Sequence, residues 1–137
     1  MILNELTPQA LDVALKTIGD GPVVMVNLLW FHERPHYPDG FAGAKESSRE
    51  AYYQGYSGAI RAVAADLGIE MELVYAGDRL SGLLAGPDED WDDIAIVRYR
   101  SLDDLRRIVE TKAYQETAQP HRLAAIANWR FFATKSK

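Results

Sequence analysis

Apolar positions along the chain fall into blocks whose period changes between three-to-four and two. Each change is marked by glycine, proline or a capping residue. Leu11, Ala14, Leu15 and Ile18 recur at helical spacing after Thr7-Pro8, where Thr can cap and Pro gives up a donor that has no partner in a first turn. Gly19 and Asp20-Gly21-Pro22 end that helix. Residues 23–31 are apolar at eight of nine positions and rich in Val, which predicts a buried strand with Asn27 as the exception at its centre. Residues 32–46 show no period, carry Pro35, Pro38, Gly40 and Gly43, and read as a long loop of the kind that often serves function.

Ser47-Ser48-Arg49-Glu50 reads as a capping box that opens a long helix. Tyr52, Tyr56, Ala59, Ile60, Val63 and Leu67 form its apolar stripe, and Gly68 ends it. Gly55 and Gly58 inside it each cost about 1 kcal/mol relative to Ala, which predicts a close neighbour, either a sheet surface or a partner chain. Residues 71–76 alternate as a second strand, and after a turn or bulge at Gly77-Asp78-Arg79 the apolar run 80–85 prolongs that edge strand. Gly86-Pro87-Asp88-Glu89-Asp90 turns the chain into 91–101, whose β-branched centre marks the central strand, with Arg98 on one of its faces. Ser101 caps a helix that buries Leu102, Leu105, Ile108 and Val109 and turns Arg106 and Arg107 to water. Residues 114–123 read as a short helical piece broken by Pro120, and 128–134, with Trp129, Phe131 and Phe132, as the last strand.

The core of this order is β-α-β-β-α-β, the ferredoxin-like split unit of the α+β class, in one domain with residues 1–21 as a helical extension and 22–137 as the core. That topology makes strands 23–31 and 93–100 neighbours. Alternation then assigns Val24, Val26, Leu28 and Trp30, with Ala95, Val97 and Tyr99, to the face covered by helices. The opposite face is expected to carry Asn27 and Arg98, with Glu72 beside Arg98 and Arg130 on the Asn27 side. One layer of helices leaves that face open, and large apolar sheet faces are buried by association, so a homodimer packed sheet to sheet is expected.

Composition narrows the function classes. A chain of 137 residues, 47% hydrophobic and 26% charged, has the length and composition of one globular domain. A net charge of −5 without a basic run opposes nucleic-acid binding. The lack of cysteine excludes disulfides and thiolate chemistry. No apolar run approaches the roughly 20 residues of a membrane span, and Met1-Ile2-Leu3-Asn4-Glu5 does not resemble a signal peptide, so a soluble cytoplasmic protein is expected.

The candidate chemistry is sparse. Asn27, Glu72, Arg98 and Arg130 can line a pocket in which Arg98 reads a carboxylate or enolate through its forked donors, or Glu72 and Arg98 can form a self-satisfied ion pair. Tyr114, His121 and Arg122 can close such a pocket from the broken helix, His121 serving as acid or base, and Tyr56 is a further candidate for its lining; a His beside Pro at a helix break is more commonly a surface residue or a cap. His32 and His36 with Asp39 make a poor metal site because Pro35 interrupts them. Asp88, Asp90 and Asp92 imitate a calcium loop, but Asp93 replaces the Gly and Tyr99 the bidentate Glu. No glycine-rich phosphate loop, nucleophile elbow or zinc-helix motif is present, and no cofactor is called for.

Asn27-Leu28-Leu29, Tyr52 and Tyr56, Trp91-Asp92 leading into Val97-Arg98-Tyr99-Arg100-Ser101, and then Tyr114, Arg122 and the aromatic last strand resemble the dimeric α/β barrels. Within them the chain is similar to the family catalogued as the domain of unknown function numbered thirteen-thirty, with Arg100 where that family usually has Pro. The resemblance implies a ferredoxin-like fold, two subunits closing a barrel, and no established catalytic residue. Two functions follow as expectations: a dimer binding a small anionic organic molecule between sheet and helices, extended by fold analogy to cofactor-independent monooxygenase or isomerase chemistry, or a non-catalytic metabolite- or protein-binding dimer with a structural polar band. Haem binding is a third reading, with His32, His36 or His121 as the available axial ligands.

Overall fold

A computed structural model of the chain describes residues 5–137. Helix α1 (Pro8–Ile18) starts where Thr7 accepts from the Ala10 N–H at 3.1 Å and ends at Gly19, whose φ of 73° suits glycine. Strand β1 (Val23–Phe31) follows. The long helix α2 (48–66) is three contiguous pieces: an α turn at Ser48–Glu50, a π-helical segment at Ala51–Tyr56, and α-helix at Ser57–Asp66. Strands β2 (Met71–Asp78) and β3 (Asp93–Tyr99) precede helix α3 (Leu102–Val109). The last helix, α4 (114–125), is π-helical at Tyr114–Ala118 and α-helical at Gln119–Ala125, and runs directly into β4 (Ile126–Thr134).

The four strands form one antiparallel sheet in the order β2-β3-β1-β4, with β1 and β3 central as the split β-α-β unit requires. Its register corrects the expected faces. Val23, Met25, Asn27 and Leu29 are the buried row of β1 and turn toward the helices with Ala95 and Tyr99. Val24, Val26, Leu28 and Trp30 are on the open face, where Val24 lies opposite Arg98 and Leu28 opposite Arg130. Asn27 therefore occupies the covered face, while Glu72, Arg98 and Arg130 share the other, so no polar band joins them. Asn27 belongs inside because both ends of its amide are matched there. Its Nδ2 donates to the Ala95 carbonyl at 3.1 Å, and its Oδ1 accepts from Trp129 Nε1 at 3.0 Å.

Two clusters fill the space between sheet and helices. One gathers Leu11, Val23, Met25, Ile60, Leu105 and Ile108, and the other Leu29, Ala51, Tyr52, Ala95, Ala125 and Trp129. Leu6, Tyr56 and Phe131 pack against both. The run 80–85 does not prolong β2. The strand ends at Asp78, the Arg79 N–H closes on the Asp92 carbonyl at 2.8 Å, and Leu80 and Leu84 are fully exposed in the loop beyond. Pro120 does not break α4, because the wide π-helical turn just before it absorbs the lost hydrogen bond and the ring's clash with the preceding turn. Among the described residues no helix is long and apolar enough to cross a membrane.

Candidate functional site

The π-helical segments of α2 and α4 contact each other, and Tyr52 and Tyr114 are among their buried residues. Tyr52 and Tyr56 stack with ring centroids 5.4 Å apart, and the Tyr56 hydroxyl meets that of Tyr114 at 3.0 Å. Burial pushes the Tyr56 phenol far above its usual range, and the adjoining Tyr114 adds to the shift. Tyr52 shifts in the same direction, chiefly through burial. At neutral pH these phenols keep their protons and can donate to an oxyanion.

Arg122 leaves α4 beside this pair and is 3% exposed. Its guanidinium lies 4.6 Å from the centroid of Trp129, whose indole N–H is spent on Asn27. Nη2 and Nη1 donate to the two carboxylate oxygens of Glu5 at 2.8 and 3.3 Å. The buried Nε–H has no partner among the described residues. Burial works against the Arg122 charge, but the Glu5 hydrogen bond, the phenols of Tyr114 and Tyr56 and the Glu5 charge outweigh it and raise the pKa.

Two hollows adjoin this group. An apolar cavity of about 80 Å³ lies between Asn27, Tyr52, Tyr56 and Trp129, and a groove of about 330 Å³ lies between Tyr114, Gln119, Arg122 and α1. Leu6 forms part of the wall of both.

A second buried charge lies at the start of β3. The Asp93 carboxylate accepts from the Tyr53 hydroxyl at 2.5 Å and from Arg49 at 2.9 Å on Oδ2, while among the described residues Oδ1 has only the ionic approach of Arg49 at 2.8 Å. Arg49 also reaches Asp78 at 3.3 Å. Burial lifts the Asp93 pKa, with Tyr53 and Arg49 opposing. Asp92 beside it accepts from the Phe31 N–H at 2.9 Å.

His121 is a buried residue of the helix interface, not a surface cap. Its ring fills the place against Gly55, where an added Cβ would run into it, and Nδ1 shares a 2.6 Å hydrogen bond with Tyr37 from the long loop. Gly55 thus has the close neighbour its sequence position predicts, whereas Gly58 has none within 4 Å. Burial, then the Lys45 charge, lowers the His121 pKa. His32 and His36 stack with centroids 3.8 Å apart, and no three metal-binding side chains gather among the described residues.

Of the residues singled out from sequence, the fold brings Tyr56, Tyr114 and Arg122 together, with Asn27 linked to Arg122 through Trp129. His121 packs on Gly55 of α2 and bonds to Tyr37 instead, and the Glu72–Arg98 pair, 3.8 Å apart and exposed, lies across the sheet. The sequence reading missed Glu5, Trp129, Arg49, Tyr53 and Asp93 as partners. For Asp93 the signal was present, since it shares parity with Ala95, Val97 and Tyr99.

No family model matches the chain, and the curated proteins offer no significant match. Among solved structures it resembles a dabb family protein with a ferredoxin-like fold (mll5499) from Mesorhizobium loti, 7% identical over 85% of this chain and 98% of that one, with a TM-score of 0.50, a likeness of fold alone. The methylated RPA0582 protein is 30% identical over 97% of this chain and 93% of its own, with a TM-score of 0.75. A second structure of RPA0582, a protein of unknown function from Rhodopseudomonas palustris, gives 30% over 97% and 95%, with a TM-score of 0.74. With that identity over nearly the whole of both chains, this chain belongs to the family of the RPA0582 protein.

Proposed function

We propose that the protein binds a small organic acid between the covered sheet face and the two π-turned helices, with Arg122 taking the carboxylate and Tyr56 and Tyr114 the neighbouring oxygens. Arg122 carries the reading. Arginine is almost never fully buried unless paired. Here the pairing comes from one half-exposed carboxylate outside the helices and sheet, and one buried N–H has no partner among the described residues. A planar guanidinium held over an indole, with its forked donors, is suited to bidentate carboxylate recognition.

The same reading takes the protein as a cytoplasmic homodimer and as a member of the family of unknown function named above from its sequence motifs. Val24, Val26, Leu28 and Trp30 on β1, with Ile94 and Ile96 on β3 and a half-exposed Phe132 on β4, make an apolar face with no helix over it. A second copy packed there would bury this face and leave the Arg122 side free. Native mass spectrometry tests both parts. The expected species is two chains retaining a carboxylic acid, native or added as phenylacetate, and Arg122→Met keeps the two-chain mass while losing the acid. Equal retention by Arg122→Met overturns the site, and a one-chain mass overturns the dimer.

A further inference from the structure

We infer that residues 5 and 6 are an internal occupant of this acid site, Glu5 standing where a ligand's carboxylate sits and Leu6 where its apolar body lies. The ligand class is then a monocarboxylic acid carrying an apolar group, and it binds by displacing the segment. The inference rests on the reading of Arg122 as a carboxylate seat.

Four observations support it. Glu5 engages both terminal nitrogens of Arg122, the two-pronged contact a free carboxylate would make. The two halves of the pair differ in access, for the Arg122 side chain is 4% exposed and that of Glu5 is 37% exposed, so the carboxylate is the half at the surface. Leu6, with Val109 of α3, lines both the cavity of about 80 Å³ and the groove of about 330 Å³. The cavity alone is smaller than the roughly 300–1,000 Å³ of ligand clefts. Withdrawal of Leu6 would remove one of the two side chains they share and open the cavity toward the groove, where Arg122 lies. Residues 5 and 6 lie outside any helix or strand, ahead of the Thr7 cap, so α1 can keep its first turn when they leave.

The test compares wild type with Glu5→Gln/Leu6→Ala in the full chain, using phenylacetate, its neutral amide phenylacetamide, and acetate in isothermal titration. Removing an internal competitor raises apparent affinity by the inverse of the fraction already open. Phenylacetate is therefore expected to bind the double variant at least about tenfold tighter. Phenylacetamide and acetate should gain little. The single Glu5→Gln variant supplies a second readout. Its melting temperature should rise with phenylacetate beyond the effect of equal chloride, and that rise should vanish when Arg122→Met is added. If wild type binds phenylacetate and the double variant binds it no tighter, the displacement fails while the acid site stands. If neither protein binds phenylacetate and no carboxylate raises the melting temperature of Glu5→Gln, both fall and Glu5–Arg122 is a clamp for the N-terminal segment.

Discussion

Asp93 and Arg122 are both buried charges under the same layer of helices, and they are neutralised in different ways. Asp93 has no exposed side-chain surface, and its partners Arg49 and Tyr53 project from α2, with Asp78 of the neighbouring strand sharing the arginine. Arg122 is nearly as buried, but its carboxylate comes from Glu5, ahead of the first helix. A charge neutralised by helices and strands is released only if those elements come apart. A charge neutralised by a residue outside the helices and strands can change partner while the sheet and its helices stay folded. The first is scaffold, and the second is where exchange with solutes is feasible.

Cutting out the scaffold charge should have the largest effect. Asp93→Ala leaves the Tyr53 hydroxyl without its acceptor and Arg49 with Asp78 alone, a loss of about 2–4 kcal/mol on urea denaturation. Phenylacetate affinity should not change. A parallel loss of affinity would merge the two sites and end the distinction.

Acid sharpens the comparison with a smaller effect. Burial and Lys45 make native His121 harder to protonate than an unfolded histidine at its ordinary 6.5. As pH falls below that value the unfolded chain takes up the proton first, so the stability present at neutral pH is lost down through the lower native pKa. His32, lowered by burial and by His36, has the same sign. Asp93 has the opposite one. Its raised native pKa means that the folded state takes the proton first, so falling pH relieves the cost of its buried charge in a more acidic window. Melting temperature should fall as pH drops below about 6.5, with a slope that His121→Gln reduces by at most one proton's worth. A slope unchanged by that substitution would place the titration elsewhere.

Arg98→Ala should do least. Its ion pair with Glu72 spans 3.8 Å between exposed side chains and contributes no more than about 0.5 kcal/mol. Lost acid binding in this variant would move the site to the other face of the sheet.

Element positions were legible from sequence because each has a local cause. Thr7-Pro8, Ser47 and Ser101 cap the helices they were expected to cap, and Gly19 stops the first. The faces of β1 were not legible. Both of its rows are apolar, so alternation carries no sign, and the one polar residue, Asn27, is inside because Trp129 and Ala95 supply partners from 102 and 68 residues away. The Glu5–Arg122 contact joins positions 117 residues apart, and no period or motif marks it. Arg98, conspicuous on an apolar strand, proved to be exposed. Arg122, beside a proline in a helix that looked broken, proved to be buried, because the π-helical turn that accommodates Pro120 keeps α4 whole.

Those wide turns have a consequence for how such proteins diverge. A π-helical turn is what remains when one residue is inserted into an α-helix and the chain on either side keeps its packing. Removing a residue from Ala51–Tyr56 would leave a sound helix but rotate its two halves by about 100° relative to each other. Tyr52 and Tyr53 would then no longer point to their present partners while Ile60 and Val63 kept theirs. A one-residue gap in either segment, when relatives are aligned, thus separates chains that retain the tyrosine wall from chains that share only the architecture.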